Sequence, residues 1–261
     1  MMNNGVNKRF GSMLKVDLRR MMVSRLTYIM LGIALVCPIL ILVMTTMMDG
    51  TTSVDPHSGA VTTIEAFDSV WQAISSPSGS AMTMDLTGMC NINLMYFAAG
   101  VWICLFVSQD FSSGYAKNLF TVRAKKTDYV ASKTLVGVIL GSLMILLWLL
   151  GSVLGGAVSG LSFDTMGAGV LGVFMCVLSK IALMAVFVPI FLAISVAAKS
   201  KAWLSICCSL GGGMLLFMMI PMLTPLDSNA MNFVLCLGGG IMFSFGLGAI
   251  SNTILKKTSL V

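Results

Sequence analysis

The feature that most constrains this chain is a set of uncharged apolar runs as long as a bilayer is thick. The cleanest is the stretch from Thr134 to Val158, which reads GVILGSLMILLWLLGSVLGG through its centre. A helix needs about 20 mostly apolar residues to cross ~30 Å of hydrocarbon. Backbone amides in lipid must find partners within their own segment, so such runs are helical. Six candidate spans follow, at about 26–48, 86–108, 134–158, 170–198, 202–223 and 231–255. Pro38, Pro189 and Pro221 are expected kinks in the first, fourth and fifth. Only 10% of the 261 residues are charged while 57% are hydrophobic, with a mean hydropathy of +0.95. Soluble domains carry about 25% charged residues, so an ordinary cytosolic enzyme, a disordered chain and a disulfide scaffold are all excluded. The expected fold is all-α and polytopic.

The charges between the runs segregate. Asp49, Asp55, Glu65, Asp68, Asp85, Asp164 and Asp227 fall in segments that hold no Lys or Arg. The other side takes residues 1–25, 109–133, 199–201 and 256–261, with every basic residue but Lys180. The positive-inside rule then places both termini in the cytoplasm, and an even number of spans agrees. The first run is too long for a signal peptide and lacks a cleavage site, so it reads as a retained span.

Three segments outside the runs have a pattern of their own. In residues 8–25, Phe10, Leu14, Leu18 and Met21 share one helical face, and Lys8, Ser12, Lys15 and Arg19 form a second stripe. This predicts an amphipathic cytoplasmic helix at the membrane surface, before a transmembrane domain over 26–258 and a short tail at 259–261. In the external loop 49–85, Phe67, Val70, Trp71 and Ile74 fall with Ile64 on a helical face. That predicts a short helix over the outer mouth, with Phe67 and Trp71 as candidate substrate contacts. The cytoplasmic segment 109–133 interleaves five basic residues with Phe111, Tyr115, Phe120 and Tyr129. It reads either as a docking element presenting Phe111 and Tyr115 to a partner groove or as an aromatic belt with basic flanks.

The search for chemistry yields little. There is no phosphate-binding glycine loop, zinc-protease helix or nucleophile elbow. The single histidine, His57, has no partner ligands nearby in sequence, and none of the seven cysteines forms a C-x-x-C pair. No catalytic residue and no metal site is expected, and no nucleic-acid partner. Gly137/Gly141, Gly151/Gly155, Gly156/Gly160 and the triplets Gly211–Gly213 and Gly238–Gly240 suggest close helix packing. Lys180 is the one charge inside an apolar run, where burial costs ~2.5–3.5 kcal/mol at a helix centre. It either snorkels to the interface or faces the bundle interior, lining a substrate route and meeting an acidic partner.

These parts resemble the permease subunit of a type-2 ATP-binding-cassette exporter, and in size the permeases of lantibiotic immunity and bacteriocin export. Asp110-Phe111-Ser112-Ser113-Gly114-Tyr115 resembles that family's acidic-Phe-x-x-Gly-Thr element, and Lys126 through Lys133 its Arg-x6-Lys stretch. The family usually has Glu, Thr and Arg where this chain has Asp110, Tyr115 and Lys126. The resemblance implies a coupling helix formed by Asp110, Phe111, Ser112, Gly114, Tyr115 and Lys117, with Arg123, Lys126 and Lys133 positioning it. It implies two separate cytosolic ATPases carrying ATP and Mg, and a second or sister permease. The implied cargo is a hydrophobic peptide, cleared or exported through a bacterial plasma membrane, and this chain would bind no cofactor beyond membrane lipid. The competing expectations are an ATPase-independent transporter and a regulatory membrane subunit.

Overall fold

The structure is a computed structural model and describes residues 3–54, 61–63, 67–76, 91–121, 125–217 and 219–257. Its helices are α1 (Asn3–Val23), α2 (Arg25–Met47), α3 (Leu94–Ser112), α4 (Tyr115–Thr121), α5 (Lys126–Ser159), α6 (Gly169–Ala198), α7 (Ala202–Phe217), α8 (Ile220–Leu223) and α9 (Ala230–Lys257). A small antiparallel hairpin of β1 (Thr52–Val54) and β2 (Val61–Thr63) interrupts the all-α expectation. Among the described residues α2, α3, α5, α6 and α9 are long and apolar enough to cross a membrane.

The expected span 202–223 is divided. α7 has 16 residues, about 24 Å at 1.5 Å per residue, and the chain turns at Met219 before α8. Pro221 accounts for the break, because it has no N–H to bond the Phe217 carbonyl. Pro38 and Pro189 instead lie within continuous helices. α5 is longer than its apolar run. Its 34 residues make about 51 Å, so the turns around Lys126 to Lys133 project past a ~30 Å core. It ends at Gly160, whose φ of 70° suits the left-handed cap and whose N–H bonds the Gly156 carbonyl.

Glycine sets the closest approach, where α2 runs along α5. A side chain at Gly151 would collide with the Leu35 carbonyl and Pro38, and one at Gly155 would lie 2.9 Å from Ile39 Cα. Gly137 and Gly141 likewise admit Ile103, Val188 and Met184. In the two triplets only the last glycine is closely packed: a side chain at Gly213 would press on Phe97 and Phe191 and one at Gly240 on Ala185 and the Ala182 carbonyl, while Gly211 and Gly238 meet open space. α6 is the central helix, packed by α3, α5, α7 and α9.

The segment 67–76 lies across the acidic end of the bundle. It forms a 3-10 turn, Val70–Ala73, rather than the expected helix, and Ile64 lies outside the described residues. Phe67, Val70 and Ala73 are buried against Leu42, with Val70 seated on Gly156. Ser69 Oγ donates to the Asp164 carbonyl (2.6 Å), and Trp148 Nε1 donates to the Ala73 carbonyl (3.1 Å). The segment is therefore a strap bonded to α5 and to the loop after it. α1 packs against the opposite, basic end of α5 through a face centred on Met13, Asp17 and Met21, with Leu14 and Leu18 half-buried beside it. Lys15 and Arg19 are exposed.

Candidate functional site

The stretch expected to be the loop 109–133 is largely helical. α3 runs on to Ser112, Gly114 turns the chain at a φ of 74°, α4 follows, and α5 begins at Lys126. These turns bring Asp110 and Lys133 together with two residues of α1. Lys133 Nζ lies 2.8 Å from Asp17 Oδ1 and 2.7 Å from Asp110 Oδ2. Arg20 Nη2 donates to Asp110 Oδ1 at 2.6 Å. Ser132 Oγ donates to Asp17 Oδ2 (2.6 Å) and Tyr129 OH to Asp110 Oδ2 (3.0 Å). Two carboxylates face two cations, so the cluster is neutral, and its oxygens are bonded from several sides, as buried charge requires.

Aromatic rings enclose the cations. Lys133 Nζ stands 4.0 Å from the Phe106 ring centre, and the Arg20 guanidinium 4.3 Å from that of Tyr115. Burial works against the Arg20 charge, but the hydrogen bond and charge of Asp110 outweigh it and hold the guanidinium above its ordinary range. Burial, reinforced by the Asp17 charge, raises the Tyr115 phenol, which stays neutral at physiological pH.

The expected contact residues therefore have different fates. Ser112 and Lys117 are exposed, while Phe111, Gly114 and Tyr115 are half-buried. Asp110 has no exposed surface, so it positions the neighbouring helices and presents nothing to a partner. Lys133 likewise belongs to the cluster. Lys126 Nζ donates to the Leu255 carbonyl (2.6 Å) and so ties α5 to α9. Arg123 lies outside the described residues. Asp17 and Arg20 are the members that sequence reasoning missed. The available signal was a lone acid three residues before an arginine in a basic segment.

Lys180 does not snorkel. It is fully buried, and its Nζ donates to Asn93 Oδ1 (2.8 Å) and Thr224 Oγ1 (3.0 Å), neutral oxygens in place of the expected acid. Beside it an apolar cavity of about 180 Å³ opens between α6, α7, α8 and α9, lined among others by Leu183, Phe187, Ile220, Cys236 and Phe243. Phe67 and Trp71 do not line it. Phe67, in the strap itself, is packed with Leu42, and Trp71 Nε1 donates to the Phe163 carbonyl (3.0 Å). Among the described residues no three His, Cys, Asp or Glu side chains converge on a metal position. The six described cysteines are free thiols.

The model of the ABC-2 family transporter protein matches residues 16–215, which include the cluster and Lys180. No curated protein and no solved structure matches the chain. The chain belongs to the ABC-2 transporter family. It is a multi-pass membrane protein and a membrane transport permease subunit, of a family that partners an ATP-binding cassette subunit.

Proposed function

We propose that this chain is the permease of an ATP-driven exporter that moves hydrophobic or amphipathic peptides outward, in antimicrobial-peptide export or immunity. Two cytosolic ATPases bind ATP and Mg and hydrolyse the nucleotide, and a second permease copy or a sister permease completes the assembly. This chain has no catalytic or cofactor role. Both termini are cytoplasmic, α1 lies along the inner interface, and α7 with α8 supplies the sixth crossing.

The observation that carries this reading is the placement of α4. It projects Lys117, Asn118 and Thr121 to solvent, while its base rests on the buried Asp17–Arg20–Asp110–Lys133 cluster. A partner moving α4 pulls on α1, α3 and α5 together, because the cluster's charges cannot separate cheaply in a low-dielectric site. ATP-driven closure of an ATPase pair reaches the spans by that route. The apolar cavity beside α6 supports an apolar cargo entering from the bilayer, and its Met219 and Phe243 suit variable side chains.

The test uses the full chain expressed with its ATP-binding-cassette ATPase partner. Ser112→Arg combined with Lys117→Glu changes only exposed side chains, so membrane yield and thermal stability should hold while co-purification of the ATPase is lost. An ATPase that stays bound at wild-type level overturns the assignment of α4 and the adjoining end of α3 as the contact. Uphill peptide export by vesicles holding this chain alone overturns the division of labour.

A further inference from the structure

At the basic end, α1, the start of α2 and the end of α3 enclose an open cleft of about 430 Å³, lined by Arg19, Arg20, Val23, Ser24, Phe106 and Gln109. The cleft is large enough for a small polar headgroup. Its lining contains no carboxylate and several unused donors. Arg19 is exposed and forms no ion pair among the described residues. It is surplus charge, because Arg20 and Lys133 already balance Asp17 and Asp110. Arg20 belongs to the ion cluster, with one amine on Asp110 and a buried Nη1 3.7 Å from Asp17, so the donors free to meet a ligand are those of Arg19, Ser24 and Gln109. Ser24, where α2 begins, makes no capping bond with its side chain. The other wall is apolar, formed by Phe106 and by Val23, which is 74% exposed.

Guanidinium, hydroxyl and amide donors around one space match the oxygens of a phosphate group. A free phosphate satisfies those donors but leaves the apolar wall wet. A zwitterionic lipid brings an ammonium group up to two arginines. We propose that this cleft binds the phosphate of an anionic phospholipid, with the glycerol and first acyl carbons against Val23 and Phe106. The bound lipid would sit on the outer side of the ion cluster and join α1 to α3. The inference is independent of cargo and of ATP.

Native mass spectrometry of the purified full-length protein tests it. The protein is titrated with phosphatidylglycerol and with phosphatidylcholine carrying the same acyl chains. Phosphatidylglycerol should be retained about tenfold better, the scale that one or two arginines near an anionic headgroup give. Arg19→Gln with Gln109→Ala should abolish that preference while circular dichroism and the melting midpoint stay unchanged. Lys257→Gln, which removes an exposed charge elsewhere at the basic end, should preserve it. Equal retention of the two lipids overturns the proposal. So does a preference that survives the cleft variant or vanishes in the Lys257 variant. Displacement of the lipid by inorganic phosphate alone assigns the cleft to a soluble anion and overturns it as well.

Discussion

Lys133 and Lys180 are both buried lysines, and their surroundings predict different costs of losing them. Lys133 stands between two carboxylates, so Lys133→Met strands Asp17 and Asp110 with only Arg20 to balance them. Breaking a buried ion pair from one side costs about 3–5 kcal/mol. Lys180→Met leaves only neutral oxygens behind. Asn93 Oδ1 loses a partner, which costs about 1–3 kcal/mol, while the Thr224 hydroxyl still donates to the Ile220 carbonyl. Thermal unfolding in detergent should therefore rank wild type above Lys180→Met and Lys180→Met above Lys133→Met. Adding Asp110→Asn to Lys133→Met should recover part of the loss, because the charges again cancel. The reverse ranking would show that the cluster is solvated. The resemblance made Asp110 and Lys133 legible in the sequence. Asp17 was not, because an acid among basic residues of an amphipathic helix looks the same whether it faces water or the end of another helix. A similar ambiguity hid the burial of Lys180, since Asn93 and Thr224 are remote in sequence and neither is charged.

Between helices, the spacing of glycines is informative only together with the partner surface. Gly151→Leu should force α2 off α5, since Leu35 and Pro38 occupy the space a side chain would need, at a cost of about 1–3 kcal/mol or outright misassembly. Gly211→Ala introduces a methyl group into open space in the middle of α7, and its better helix propensity favours it by roughly 0.5–1 kcal/mol. Melting midpoints and monodispersity of the purified variants check both signs. Destabilisation by Gly211→Ala would mean that a neighbour outside this chain packs on that face. The sequence presented these glycines alike, because four-residue spacing encodes the possibility of close approach and not its use. Apolar runs marked the bodies of the spans well but their ends poorly. α3 and α5 continue as helix into residues that hydropathy assigns to a loop, since backbone bonding does not require apolar side chains. The opposite error occurs at 202–223, where an unbroken apolar run is divided by a proline that removes one backbone donor.

Over the whole molecule, α5 links two polar anchor points that the sequence places in separate loops. Its first two turns hold Lys133 in the ion cluster, and Trp148 and Gly156, about 22 and 35 Å further along at 1.5 Å per residue, bear on the strap at the acidic end. A stiff helix joined to both ends carries a displacement at α4 across the bundle without needing a chain of rotamer changes. Trp148→Phe tests this directly. It keeps the ring in place but removes the bond to the Ala73 carbonyl, which still accepts from the Ile92 N–H, so stability should fall by only about 0.5–1.5 kcal/mol. In the complex with its ATPase, this variant should co-purify normally and hydrolyse ATP at the basal rate, because the α4 contact is untouched. The increment in hydrolysis caused by an amphipathic peptide should fall, because the hydrogen bond from α5 to the strap is gone. That pattern differs from the loss of assembly expected when the exposed face of α4 is changed. Full peptide stimulation in Trp148→Phe would mean that α5 is not the transmitting element, and would direct attention to α6, which also packs against both α3 and α9.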